Sequence, residues 1–121
     1  MRSESTNPSP PLPPSPTGGE GGVAKVSSLA EAIARIPAGA VVGLGGNTFH
    51  RAPGAAVHEL VRQRKAVGLV KSAGSYEVDV LVGAGLVERI QAAYVGFETL
   101  GLAPRYRRAL ESGQLQLTEH T

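Results

Sequence analysis

VVGLGGNTFHRAP, Val41 to Pro53, reads as a buried strand that runs into a glycine turn and then a helix. Val41 and Val42 are β-branched and apolar, Gly43, Gly45 and Gly46 admit backbone angles that side chains forbid, and Pro53 suits a first helical turn. Where a parallel strand hands over to a helix, free backbone N–H groups and the helix dipole favour phosphate, carboxylate or a developing oxyanion. The same residues exclude two nucleotide sites. A dinucleotide fingerprint needs a glycine where Thr48 stands and an acid at the end of the next strand, where Lys71 stands, and a nucleotide P-loop needs a lysine after the glycines. An anion or acyl-ester site and a merely tight strand-helix turn both fit what is left.

Outward from this stretch, apolar blocks alternate in kind. Upstream, Ser28-Leu-Ala-Glu31 is a capping box, after which Leu29, Ile33 and Ile36 fall on one helical face until Pro37 and Gly39. Ala40 to Leu44 is the first strand. Ala52 to Arg64 is the second helix, with Pro53, Val57, Leu60 and Val61 at helical spacing and Arg62, Arg64 and Lys65 near its negative end. A strand follows at Val67 to Lys71. Tyr76 to Val82 fits both periods, because Tyr76, Val78, Val80 and Val82 alternate while Val78, Leu81 and Val82 also suit a short helix. Ile90 to Gly96 reads as a strand, Pro104 to Glu111 as a helix stopped by Gly113, and Leu115 to Thr118 as a last strand. Such alternation predicts an α/β fold with an open, mostly parallel sheet and flanking helices.

Composition narrows the function classes. The chain has 121 residues, enough for one domain and small for a complete α/β enzyme. Its formal net charge of +2 and 4% aromatic content argue against nucleic acid. Zero cysteines remove disulfides, thiolate metal sites and cysteine nucleophiles together, and are compatible with a cytoplasmic location. No apolar run reaches membrane-spanning length, so no membrane partner is expected. Met1 to Gly22 holds six of the nine prolines among serines and glycines, and is expected to be a disordered tail with neither the basic start nor the apolar middle of a secretory signal. Its Pro10 to Pro16 stretch has the PxxP spacing of a polyproline ligand. The folded unit is expected to begin at Val23.

Four ordered blocks carry a resemblance: SLAEAIARIPAGAVVGLGG, RAPGAAVHELVRQRK, GAGLVERIQAAYVGFE and LAPRYRRALESGQLQLTEHT. Together they resemble the N-terminal half of the α subunit of family I coenzyme A transferases, glutaconate type, over about Val23 to Thr121. The resemblance implies an open α/β sheet, pairing with a β subunit in a hetero-oligomer, and transfer of coenzyme A from an acyl-CoA to a carboxylic acid. It also implies a glutamyl thioester on a glutamate supplied by that β subunit, so no catalytic residue is expected in this chain. Coenzyme A enters as substrate, with no other cofactor and no metal. By matching position, Gly45, Gly46 and Asn47 form the loop beside the acyl-CoA, Arg51 holds an acidic substrate or structures the loop, and Ser72 and Gly74 lie in a small-residue turn near the cleft. Complete α subunits continue for a comparable stretch, whereas this sequence stops at Thr121, so a truncated or split subunit is expected. Two other readings stay open. Relatives resembling this type hydrolyse a carbon-carbon bond in cyclic CoA esters, and a truncated chain with an exposed sheet edge suits a non-catalytic interaction module.

Other candidates have plainer roles. Glu77, Asp79 and Glu98 make a nucleophile within this chain imaginable, but isolated surface carboxylates are commoner. His50, His58 and His120 share no metal-ligand spacing. Arg105, Arg107 and Arg108 form a basic cluster on one helix, a pattern that usually means a solvated face.

Overall fold

The computed structural model describes residues 25–121, and the expected disordered tail, with its PxxP stretch, lies outside them. Four strands, β1 (Val41–Gly43), β2 (Gly68–Gly74), β3 (Arg89–Val95) and β4 (Gln116–Glu119), form one sheet in chain order with every neighbour parallel. The helices are α1 (Leu29–Ala34), α2 (Gly54–Arg62), α3 (Tyr76–Gly83) and α4 (Pro104–Glu111). The expected α/β class and parallel sheet are therefore observed.

Chain-order strands joined by right-handed crossovers must place their connecting helices on the same face of the sheet. Burial along the strands agrees. Leu69, Lys71, Ile90 and Ala92 are buried, whereas their alternating neighbours Val70, Ser72, Gln91 and Ala93 are exposed. The core lies between Leu69 and Ile90 of the sheet and Ile33, Val57, Leu60, Val78, Leu81, Tyr106 and Ala109 of the four helices.

Local chemistry sets the ends of these elements. Ser28 Oγ accepts the Glu31 N–H at 3.2 Å while the Glu31 carboxylate accepts the Ser28 N–H at 2.9 Å, so the capping box stands as read. The segment of double period is helix α3. A crossover is obligatory between the parallel strands β2 and β3, and that requirement overrides the alternation of Val78, Val80 and Val82. Gly113, at φ +78°, ends α4 as expected.

Two expectations about the opening stretch are corrected. β1 is an edge strand rather than a buried one, with Val41 62% exposed, because only β2 flanks it and no helix covers its outer face. Nor does the glycine turn pass directly into a helix. Leu44 to Pro53 forms a loop folded back on itself, with Asn47 and His50 exchanging backbone hydrogen bonds, and α2 starts only at Gly54. The α2 dipole thus falls outside the reach of Gly45 and Gly46, since such dipoles act within the first turn.

Candidate functional site at the C-terminal rim of the sheet

In open parallel sheets, ligands gather where the strands end. That rim carries three loops here: Leu44 to Pro53 after β1, Gly74-Ser75 after β2, and Gly96 to Ala103 after β3. Side chains strap them together. The buried Thr48 donates its N–H to the Ala73 carbonyl at 2.9 Å, and its hydroxyl donates to the Glu98 carboxylate. The Phe49 and Phe97 rings lie 5.7 Å apart, and the Glu98 N–H donates to the Tyr94 hydroxyl at 3.2 Å.

Beneath the glycine loop sits Lys71, 2% exposed on the helical face of β2. Its ammonium donates to the Gly45 carbonyl and, at 2.9 Å, to the Gly46 carbonyl. The Glu77 carboxylate, completely buried at the start of α3, lies 3.5 Å from the same nitrogen and accepts the Ser75 N–H at 3.1 Å. Burying an ammonium is costly unless it is paired and hydrogen-bonded, and two carbonyls and a carboxylate meet that demand. Glu77 Oε2 and Ser75 Oγ are buried without a hydrogen-bond partner among the described residues.

This arrangement fixes what the loop can offer. The chain has no cis peptide bond among the described residues, so carbonyl and N–H of each peptide unit point in opposite directions. With the Gly45 carbonyl held by Lys71, the Gly46 N–H points away from the core. No acceptor for the Gly45 or Gly46 N–H exists among the described residues. Gly46 has φ +87°, and a β-carbon there would come within 2.5 Å of the Arg51 carbonyl oxygen, so only glycine fits.

The expected site residues divide into those that gather at this loop and those that do not. Gly45 and Asn47 are exposed and Gly46 is half-buried, all at the rim. Arg51 follows on the same loop at φ +58°, and its guanidinium has no ion pair among the described residues. Gly74 is buried at the end of β2, where a β-carbon would meet the Val78 side chain at 2.7 Å. It permits the close approach of α3. Ser72 faces the opposite, helix-free side of the sheet, because strand side chains alternate, and the structure does not bring it to the glycine loop.

Glu77 and Asp79 depart from the surface role expected of them. Both are buried, and Asp79 accepts the backbone N–H groups of Arg105 and Tyr106 at 2.8 and 2.9 Å, closing the first turn of α4. In the basic cluster, Arg105 pairs with Asp79 and Arg107 with Glu111. No group of histidines and acids among the described residues is arranged to hold a metal ion. Sequence reasoning missed Lys71 and Thr48. Lys71 left a signal: it shares strand parity with Leu69, and a charge on the core face requires a buried partner.

The sequence profile of the family described as Coenzyme A transferase matches residues 26–120. One of the two subunits of the 3-oxoadipate CoA-transferase of Pseudomonas knackmussii is 35% identical over 104 residues, covering 82% of this chain and 36% of that protein. Among solved structures, glutaconate coenzyme A-transferase from Acidaminococcus fermentans superposes with a TM-score of 0.74 at 29% identity, over 81% of this chain and 32% of that one. A variant of the decarboxylase AibA/AibB also gives a TM-score of 0.74, at 35% identity, over 78% of this chain and 38% of that one. The chain thus spans about a third of the length of the relatives it matches. The chain belongs to the coenzyme A transferase family.

Proposed function

We propose that this chain contributes the α-type half-site of an enzyme that moves coenzyme A between an acyl-CoA and a carboxylic acid. The glutamate nucleophile comes from a β-type partner subunit in a hetero-oligomer. The carboxylate oxygen attacks the thioester carbonyl carbon, whose π electrons move onto oxygen. Collapse of that adduct breaks the C–S bond, leaving a mixed anhydride and coenzyme A thiolate. The thiolate then attacks the glutamyl carbonyl, forming the enzyme thioester and releasing the first acid. A second carboxylic acid reverses the sequence and leaves as the new acyl-CoA. Coenzyme A is substrate throughout, with no resident cofactor, and the reaction takes place in the cytoplasm.

The observation that carries this reading is the outward Gly46 N–H with no acceptor among the described residues. Catalysis of acyl transfer depends most on donors fixed in advance where negative charge develops. The Asn47 amide, exposed beside it, supplies a second donor, and the Arg51 guanidinium suits the carboxylate of an acidic acyl or acceptor group. Gly74 lets α3 approach the loop closely.

The test is co-expression of the full chain with a candidate β-type subunit, followed by acetyl-CoA and a labelled carboxylic acid. The expected result is exchange of coenzyme A into the labelled acid, with a borohydride-reducible thioester on the partner's glutamate. A stable complex with no exchange and no thioester would reject transfer.

One observation favours a second reading, hydrolytic ring opening of a CoA ester in the same site. Glu98 is held at φ +53° with its carboxylate bound by Thr48 at the rim, and such backbone strain clusters at functional positions. Replacing Glu98 with Gln separates the two readings, since transfer survives the change within about tenfold while hydrolysis that uses this carboxylate as base falls by at least about a hundredfold.

A further inference from the structure

We infer that Lys71 is a positioning residue that sets the polarity of the glycine loop. By drawing the Gly45 and Gly46 carbonyl oxygens toward the core, its ammonium turns the Gly45–Gly46 peptide so that its N–H faces the ligand side. The clamp is complete within this chain. Only the identity of the ligand rests on the coenzyme A transfer reading.

Three observations support it. First, Lys71 lies on the core face of β2 with its side chain fully enclosed, a location that an apolar residue would fill without the cost of desolvating an ammonium. Second, its protons go to two consecutive carbonyls of one loop in addition to Glu77. Charge-assisted bonds to adjacent peptide units fix their orientation, whereas the Glu77 pair alone would fix only the lysine. Third, glycines have no side chain to hold their own peptide planes, so Gly45-Gly46 is the part of the loop that most requires an external anchor. The neighbouring Asn47 N–H is already satisfied by the His50 carbonyl at 2.9 Å, and the Gly46 N–H is left as the donor the clamp presents.

A structural ion pair would stabilise the fold without steering this peptide, and nuclear magnetic resonance on the full chain tells the two apart. In the unsubstituted protein, the Lys71 ammonium nitrogen should show couplings across its hydrogen bonds to the carbonyl carbons of Gly45 and Gly46. Their absence would overturn the inference without any variant. In Lys71→Met, both carbonyl resonances should shift and the Gly46 amide order should fall, while Leu69 and Ile90 amides remain protected, and Lys71→Arg should restore part of the order. With acetyl-CoA as probe, the Gly46 amide response should be about tenfold weaker in Lys71→Met. A Lys71→Met protein whose loop and response match the unsubstituted chain would overturn the inference and leave the transfer reading standing. If acetyl-CoA moves no loop amide in the unsubstituted protein while Lys71→Met still frees the loop, the clamp is upheld and the transfer reading fails.

Discussion

Gly46 combines a left-handed backbone with the Arg51 carbonyl packed where a side chain would begin, so substitution disturbs both at once. Gly46→Ala should cost about 1–3 kcal/mol of stability, read as a lower urea midpoint, and should remove loop amide protection before that of the sheet. Asp79 presents a different case, a buried carboxylate that accepts two N–H groups from the first turn of α4. Asp79→Ala leaves those donors unsatisfied and should cost about 3 kcal/mol, with α4 amides exchanging first. Neither residue announced this in the sequence. Asp79 has the same spacing to Glu77 whether the pair is solvated or enclosed, and only the docking of α4 over α3 decides between them.

Elements were more legible than their surroundings. Pro104 and Gly113 bracket α4, and the capping box opens α1, because these signals act through the chain's own backbone within a few residues. The exposure of β1 and the length of the loop after it were not legible, since they depend on which strand lies alongside and how far the turn folds back. Of the rim residues, the three glycine-loop positions were recognisable from local chemistry, and Lys71 was not, its partners lying 25 and 26 residues away. At the end of α2, the Arg62 guanidinium and then the Gln63 amide bind the Glu59 carboxylate and hold its pKa down to about 2 from 4.5. A depressed carboxylate pKa contributes stability above its unfolded value, and that contribution fades as pH falls from 4.5 toward 2. Side-chain carbon shifts of Glu59 should therefore titrate near 2, and in Arg62→Ala the midpoint should rise. Ser28→Ala should cost about 1 kcal/mol, seen as faster amide exchange confined to α1.

For the molecule as a whole, the decisive arrangement is four helices on one face of the sheet and none on the other. The uncovered face exposes Val41 and Val70, and unpaired edges invite association. No described helix is long and apolar enough to cross a membrane. Replacing Val41 with Thr and Val70 with Lys should lower self-association in sedimentation velocity at high protein concentration, with the thermal midpoint held within a few degrees. An unchanged sedimentation profile would show that the face is inert.

Strands that neighbour one another in the sheet are also consecutive in the chain. As the polypeptide leaves the ribosome, each new strand-and-helix unit meets its docking surface already in place, so assembly can proceed vectorially with short loop closures and fast kinetics. The glycine loop is made early, yet its lysine is synthesised one unit later and its acid after that, so the rim sets only when β2 and α3 have arrived.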